Sequence, residues 1–387
     1  MRIVILLIAM SLMACAQKNG STPKSEEVVS SPPAPQPVVA EKTPEVIEEV
    51  AEPEPEAVPE PEPAWTEAQV AEALNPAVQL PESLKNAFAE VELDPFPEAL
   101  VLDAHYWVSN ENHHYLYKPF VDEHRGIYLG VGTDQNYLIA AWSKSPILLM
   151  FDFDEQIRNV HDIYGSIFRR VENPIDFLKT WTEEEKIAGW IAEDFPEERA
   201  KALQKSLKIS RKSVLGRLRL VVREYRERKV DTFLTDQEQY DFIRNLWLNN
   251  RVFAYRGDLT ADKTMKQIAK VLKDHQLSLG LVYLSNAEQY FDFTPQFRRN
   301  IIDQPFDEKA LILRTRPWEK LGYPEGGRYH YNVQNAQNFA EWMKVHRVKN
   351  ASRLLVGWRT NDPEILGVSE LKRTPRPSKT PPEIAPE

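Results

Sequence analysis

Apolar residues in this chain fall into short runs that end in polar or glycine turns, and between the runs they recur every three or four positions. Gly126 to Gly132 reads as a buried strand entering a glycine turn. The spacing predicts a helix over Asp134–Trp142, with Thr133 or Asp134 as its cap. Ile147–Asp152 is a second apolar strand, and Asp154 can cap the helix after it. That helix places Ile157, Val160, Tyr164, Ile167, Phe168 and Val171 on one face. Further strands are predicted at Val252–Tyr255, Leu279–Leu284, Ala310–Arg314 and Arg353–Trp358, with an amphipathic helix at Asp262–His275. Strands alternating with helices imply parallel pairing through right-handed crossovers. The expected fold is therefore α/β, a doubly wound, mostly parallel sheet of about six strands.

One crossover is far too long to be simple. From about 172 to 250 the pattern is helical, an insertion between the second and third strands. Residues 67–74 and 83–91 read as two helices that wrap the domain, which is expected to span 65–362. Residues 363–387, rich in Pro, Lys and Glu, read as a disordered tail.

The other end of the chain has a different character. Residues 1–14 carry Arg2, an apolar run from Ile3 to Met10 and small residues before Cys15, as a signal peptide does. The run is too short to span a bilayer, which takes about 20 residues. Leu12 to Cys15 resembles the lipobox of bacterial lipoproteins, in which the cysteine receives a diacylglycerol and an N-acyl chain such as palmitate. Cys15 is the single cysteine of the chain, so it has no disulfide partner within it. Ala16 follows it, a residue compatible with sorting to the outer membrane, and the expected location is the cell envelope, lipid-anchored and facing the periplasm. Residues 15–64 form the expected tether: Ser21–Ala64 holds eleven Pro and eleven Glu against two Lys and no aromatic residue. Such a segment buries too little apolar surface to offset its ordering entropy, and as extended Pro-rich chain it reaches on the order of 100 Å. It supplies −9 of the net charge of −10, which leaves residues 65–387 near neutral at −3. The acidity thus says little about the partners of the folded part.

Charge is concentrated elsewhere too. Residues 201–229 carry eleven Lys and Arg against two Glu on a helical pattern. Two readings stand: a solvated helix face, or contact with anionic lipid headgroups. For an exported chain nucleic acid is not the expected partner.

In an open parallel sheet, ligands sit beyond the carboxyl ends of the strands, and here those ends are polar. The first ends in Gly130, Gly132, Asp134, Gln135 and Asn136; the second in Asp152 and Asp154; the third in Gly257 and Asp258; the fourth in Ser285, Asn286, Glu288 and Tyr290. Glycines let a ligand approach the backbone at a helix start. Asp152 follows Gly132 by twenty residues, a spacing that suits a carboxylate for ribose hydroxyls. His105, His113 and His114 with Glu111 match no zinc spacing. Asn110, Glu111, Tyr115 and Tyr117 read as a lid before the first strand; Tyr329–Asn332, beside Gly326 and Gly327 that suggest a mobile loop, could offer a base near the cleft mouth, with packing as the default reading. No Gly-x-Ser-x-Gly elbow, His-Glu-x-x-His helix or phosphate loop occurs.

Gly130 to Tyr137, Phe151 to Asp154 and Tyr283 to Tyr290 together resemble an uncharacterised family of bacteria and plants marked by G-V-G-x-x-Q-N-(Y/F) and Y-L-S-N-x-E-Q-Y. The similarity runs from about Val108 to Arg316. The family in turn resembles the Rossmann-like class I S-adenosylmethionine methyltransferases. That resemblance implies that Gly130, Gly132, Asp134, Gln135 and Asn136 face the methionine part of the cofactor, Asp152 the ribose and Asp258 the adenine, with Ser285, Asn286 and Glu288 toward the substrate. Where a third glycine is usual in that fold, this chain has Asp134 and Gln135. S-adenosylmethionine is also a cytosolic product, absent from the expected location. The leading expectation is accordingly a tethered ligand- or partner-binding protein with a methyltransferase-like domain. The alternatives are an active methyltransferase, or an envelope hydrolase using Glu288 and Asn286.

Overall fold

The computed structural model describes residues 65–317, 319–355 and 366–376. The signal peptide, Cys15 and the tether lie outside the described residues, as does the end of the strand expected at Arg353–Trp358.

Seven strands form one sheet: β1 (Ile127–Val131), β2 (Leu148–Asp152), β3 (Val252–Arg256), β4 (Leu279–Tyr283), β5 (Phe306–Arg316), β6 (His330–Asn335) and β7 (Val368–Leu371), in the order β3-β2-β1-β4-β5-β6-β7. The first five strands pair in parallel; β6 is antiparallel to β5, and β7 is parallel to β6. The chain winds outward from β1 to β3, then returns to place β4 on the other side of β1. The sheet is thus doubly wound, α/β and mostly parallel, with its switch point between β1 and β4. There the two backbones nearly touch: a Cβ on Gly126 would lie 2.3 Å from the Gly280 Cα. Only glycine at both positions allows that approach, and the β1–β4 register shifts beside it, between Ile127 and Tyr128.

Helices cover both faces. Before the sheet come α1 (Glu67–Ala73), α2 (Glu82–Ala89) and the single turn α3 (Lys118–Val121). Then follow α4 (Gln135–Ser143), α5 (Glu155–Phe168) and the insertion, α6 (Pro174–Thr180), α7 (Glu184–Asp194), α8 (Glu197–Glu227) and α9 (Gln237–Leu248). The last are α10 (Thr264–Asp274), α11 (Pro295–Ile302), α12 (Ala336–Met343) and α13 (Ala351–Leu354). Successive strand residues point to opposite faces, so Tyr128, Met150 and Tyr283 pack with α4, α5 and the insertion. Leu129, Leu149 and Ile312 pack on the other face with α2, α10, α11 and α12. No helix among the described residues is long and apolar enough to cross a membrane.

Some expectations need correction. Residues 351–354 are helix α13, not the start of a strand; Asn350 caps it by accepting from the Arg353 N–H, which commits that backbone to a turn. The two final strands are instead β6 and β7. Residues 329–332, given no strand by the sequence pattern, belong largely to β6, and part of the expected loose tail is β7. Both strands pair with the polar side chains of His330, Asn332 and Ser369 buried between them, so their patterns are not apolar runs. Asp134 stands at the N-cap position of α4 as expected, but its side chain makes no cap bond, because the carboxylate is turned elsewhere. Asp154 does cap α5, accepting from the Gln156 N–H at 2.9 Å.

Candidate functional site

The carboxyl ends of β1 to β4 open into a cleft roofed by the segment before β1. It consists of two adjoining cavities that share Val101, Val131, Asp152, Phe153, Ala287 and Tyr290. The smaller, about 110 Å³, lies between Gly132, Gln135, Ser285 and Asn286 below and Tyr106 and Ser109 above. The larger, about 360 Å³, runs across Asp152 to Gly257, Asp258 and Phe291. Among the described residues no Lys or Arg lines either cavity, while Glu98, Asp152, Asp154 and Asp258 do.

The glycine turn is filled by the protein itself. A Cβ on Gly130 would meet the Asn136 Oδ1 at 2.3 Å, and one on Gly132 would meet the Gln135 Nε2 at 2.2 Å. Gln135 folds back to accept from the Thr133 N–H (3.2 Å) and donate to the Val131 carbonyl (3.1 Å). Asn136 accepts from the Tyr128 hydroxyl at 2.7 Å and donates to the Gly132 carbonyl at 3.0 Å. His161 secures that carbonyl further, its Nε2 2.8 Å away, while its Nδ1 pairs with the Tyr137 hydroxyl. Burial pushes the His161 pKa down to about 4, so it is neutral and serves as a strut. Asp134 leaves the cleft altogether: it accepts from the Ser109 N–H and from the Arg217 Nε at 2.8 Å. Among the residues expected around a methionine tail, only Gly132 and Gln135 line the cavity; Gly130, Asp134 and Asn136 do not. The glycines thus make room for Asn136, Tyr128 and Gln135 side chains.

Asp152 and Asp258 do meet the cleft, on either side of the larger cavity. Asp152 Oδ1 accepts from the Asp154 N–H at 3.0 Å. Burial pushes its pKa up to about 7, the Asp154 N–H only partly countering this. Asp258 Oδ1 accepts from the Thr260 N–H and hydroxyl, both at 2.7 Å. Among the described residues no cation pairs with either carboxylate, so each retains acceptor capacity toward the cleft.

Of the residues assigned toward a substrate, Ser285 and Asn286 line the smaller cavity and Glu288 does not. Glu288 is buried and forms an ion pair with the equally buried Arg314 at 2.6 Å, so the catalytic reading of Glu288 is corrected to a structural one. Arg314 also donates to Asn332 and Gln334, the polar side of β6. Ser285 has a φ of 51°, a left-handed conformation uncommon for a residue with a side chain.

That conformation is held by Glu111, which the sequence placed beside the histidines and in the lid but not at the strand ends. Glu111 is fully buried, and Ser285 donates to its Oε1 at 3.0 Å, joined there by the Thr315 hydroxyl. Its Oε2 takes the Tyr283 hydroxyl, His114 Nε2 (3.1 Å) and the Ser109 hydroxyl (3.3 Å). Burial pushes the Glu111 pKa up, but the donors from His114, Thr315 and Tyr283 outweigh it and leave the group below the usual range. One carboxylate thus ties the roof to the tips of β4 and β5. Asp94 does the same at β3, accepting from the backbone of Asp258, Lys263 and Thr264. Asp94 carried no sequence signal, and Glu111 was noticed only for its neighbours, since each lies in irregular chain.

The segment expected as a lid is packed instead: Tyr117 is buried with its hydroxyl on the Arg314 carbonyl, and His113 lies against the Glu325 carbonyl. His105 pairs with Asp154 at 2.7 Å, so the three histidines have separate partners. The described residues contain no cluster of three metal-ligating side chains. His330 is no free base either; it bridges the Gly322 carbonyl and Ser369.

Residues 106–372 match the family named Domain of unknown function (DUF7790). The chain belongs to this family. The DUF7790 match takes in the roof with Glu111, the whole sheet to β7 and the helical insertion; α1 and α2 precede it. A solved structure of the rRNA methyltransferase aviRa from Streptomyces viridochromogenes is similar at 9% identity, over 63% of this chain and 85% of that one, with a TM-score of 0.26. A likeness this loose carries no argument about ligand or reaction. No curated protein matches the chain.

Proposed function

We propose that this is a lipid-anchored envelope protein whose cleft binds a donor-rich, neutral or cationic small molecule with a flat ring, such as a nucleoside. The observation that carries the ligand class is the lining of the larger cavity, acidic and aromatic with no cation among the described residues. Phosphates and free carboxylates would meet Asp152 and Asp258 without a countercharge. Hydroxyls would find acceptors there, and Tyr290 and Phe291 offer faces for a ring. Anchoring rests on the Cys15 lipobox, and its test is the mass of the mature N-terminal peptide: an unacylated peptide overturns it.

The ligand is tested by thermal shift of residues 16–387 against adenosine, other nucleosides, simple sugars, nucleoside phosphates and S-adenosylmethionine. A ligand at 1,000 times its Kd adds about 4 kcal/mol of stability. Stabilisation by the phosphates but not the nucleosides would refute the reading. A second reading, an S-adenosylmethionine-dependent methyltransferase, draws on Asp152 at the end of β2 beside a cavity that reaches Asp258. The filled glycine turn weighs against its methionine half. It requires a shift with S-adenosylmethionine that Asp152→Ala removes. The hydrolase reading has lost its carboxylate to Arg314 and is not retained.

A further inference from the structure

We infer that the exposed face of α8 is a docking surface for a bilayer carrying anionic phospholipid. α8 is the longest helix described, 31 residues. Its inner face buries Leu203, Leu207, Val214, Leu218, Val221 and Tyr225 against the domain. At 3.6 residues per turn, Lys205, Lys208, Lys212, Arg219, Arg223 and Arg226 fall within an arc of roughly 100° on the outer face. All six are exposed. From Lys205 to Arg226 the row is about 32 Å long. Arg223 pairs with Glu224 at 3.2 Å; the other five have no ion pair among the described residues.

The shape of this face selects the partner. Along the arc the uncharged positions are Ile209, 45% exposed, and Gly216. Protein interfaces centre on apolar and aromatic anchors and are depleted in Lys, and this row has neither pocket nor ring. A straight line of exposed cations on a rigid helix, five of the six without an ion pair among the described residues, needs only a planar polyanion opposite it. A lipid anchor plus a basic patch is also a pairing that holds a protein stably on a membrane. The tether, at −9 between Ser21 and Ala64, is repelled by such a surface, so attraction has to come from the folded domain. The inference shares with the proposed function only the nearness of a membrane. Its test omits Cys15, so the two fail separately.

The experiment is co-sedimentation of residues 16–387 with vesicles of phosphatidylcholine alone or mixed with phosphatidylglycerol, at low and at high salt. Binding is expected to the mixed vesicles only, and to fall as salt screens the surface. Each cation near a charged surface strengthens binding about fivefold. Lys205→Gln, Lys208→Gln and Lys212→Gln together therefore weaken it on the order of 100-fold, with an unchanged melting temperature. The charge-matched control, Lys266→Gln, Lys270→Gln and Lys273→Gln on α10, leaves it within a few-fold. Equal binding to both vesicle types, an equal loss in the control, or tighter binding of duplex RNA than of mixed vesicles at the same salt overturns the inference.

Discussion

Arg217 reaches from the helical insertion into the core of the site, and removing it tests whether that reach holds the roof in place. Its Nε donates to Asp134 at 2.8 Å, Nη1 to Asn112 at 2.6 Å and Nη2 to the Glu111 carbonyl at 2.8 Å. The side chains of Arg217 and Asp134 are 4% and 2% exposed, so water replaces none of these bonds. Arg217→Met keeps much of the volume and strands the Asp134 carboxylate, which retains donors from Ser109 and Thr133 but no countercharge. Breaking a buried pair in this way costs about 3–5 kcal/mol. Adding Asp134→Asn removes the stranded charge while its amide oxygen still accepts from Ser109. The double variant is expected to recover about 2 kcal/mol of that loss. Urea unfolding at pH 7 of the two variants beside the parent gives all the terms. In thermal melts the single variant falls by roughly 10 °C, taking about 2–4 °C per kcal/mol for a domain of this order of size. A cost under about 1 kcal/mol for the single variant, or a double variant no more stable than the single, refutes the reasoning.

Other perturbations read the same structure independently. Glu288→Gln leaves Arg314, 0% exposed, without its counter-ion and is expected to lower stability by about 3 kcal/mol in urea; a neutral result would reopen a functional role for Glu288. Asp152 is raised on folding from 3.8 to about 7, so between those values the folded state holds a proton that the unfolded chain has released, and stability falls as pH rises through that window. Asp152→Asn removes this slope, so its stability relative to the parent climbs from pH 4 to pH 7; parallel curves would show that Asp152 is solvated and ordinary. Gly280→Ala drives a Cβ to 2.3 Å from the Gly126 Cα and is expected to cost about 1–3 kcal/mol. Gly189→Ala on α7, with nothing within 4 Å, should stabilise by about 0.4–1 kcal/mol, and calorimetry of both distinguishes a close contact from a general effect of glycine.

The strands that carry the cleft were legible because they are buried on both faces and read as unbroken apolar runs, β1, β2 and β4 above all. The insertion was legible from its helical spacing. β6 was not, since one of its sides consists of His330, Asn332 and Gln334, polar groups whose burial is compensated largely from Arg314 and Ser369 on the neighbouring strands. The same holds within the site. Asp152 and Asp258 could be placed from strand ends, whereas Glu288, equally near a strand end, turns inward because Arg314 waits there. Asp134 and Gln135 could be recognised as unusual beside glycines, but where Asp134 points is decided by Arg217 and Ser109, 83 and 25 residues away. Glu111 gathers Tyr283, Ser285 and Thr315 from more than 170 residues away, a convergence without any periodicity to betray it.

The antiparallel edge sets an order on biosynthesis. Asn332 and His330 are buried against Ser369, so β6 stays an open, hydrogen-bond-hungry border until Leu371 has left the ribosome. A nascent chain halted before that point carries an almost finished sheet with one raw margin, the form most prone to stick to its neighbours. Completion of this sheet therefore waits for β7, and a fusion partner joined upstream of 368 would remove the closing strand itself.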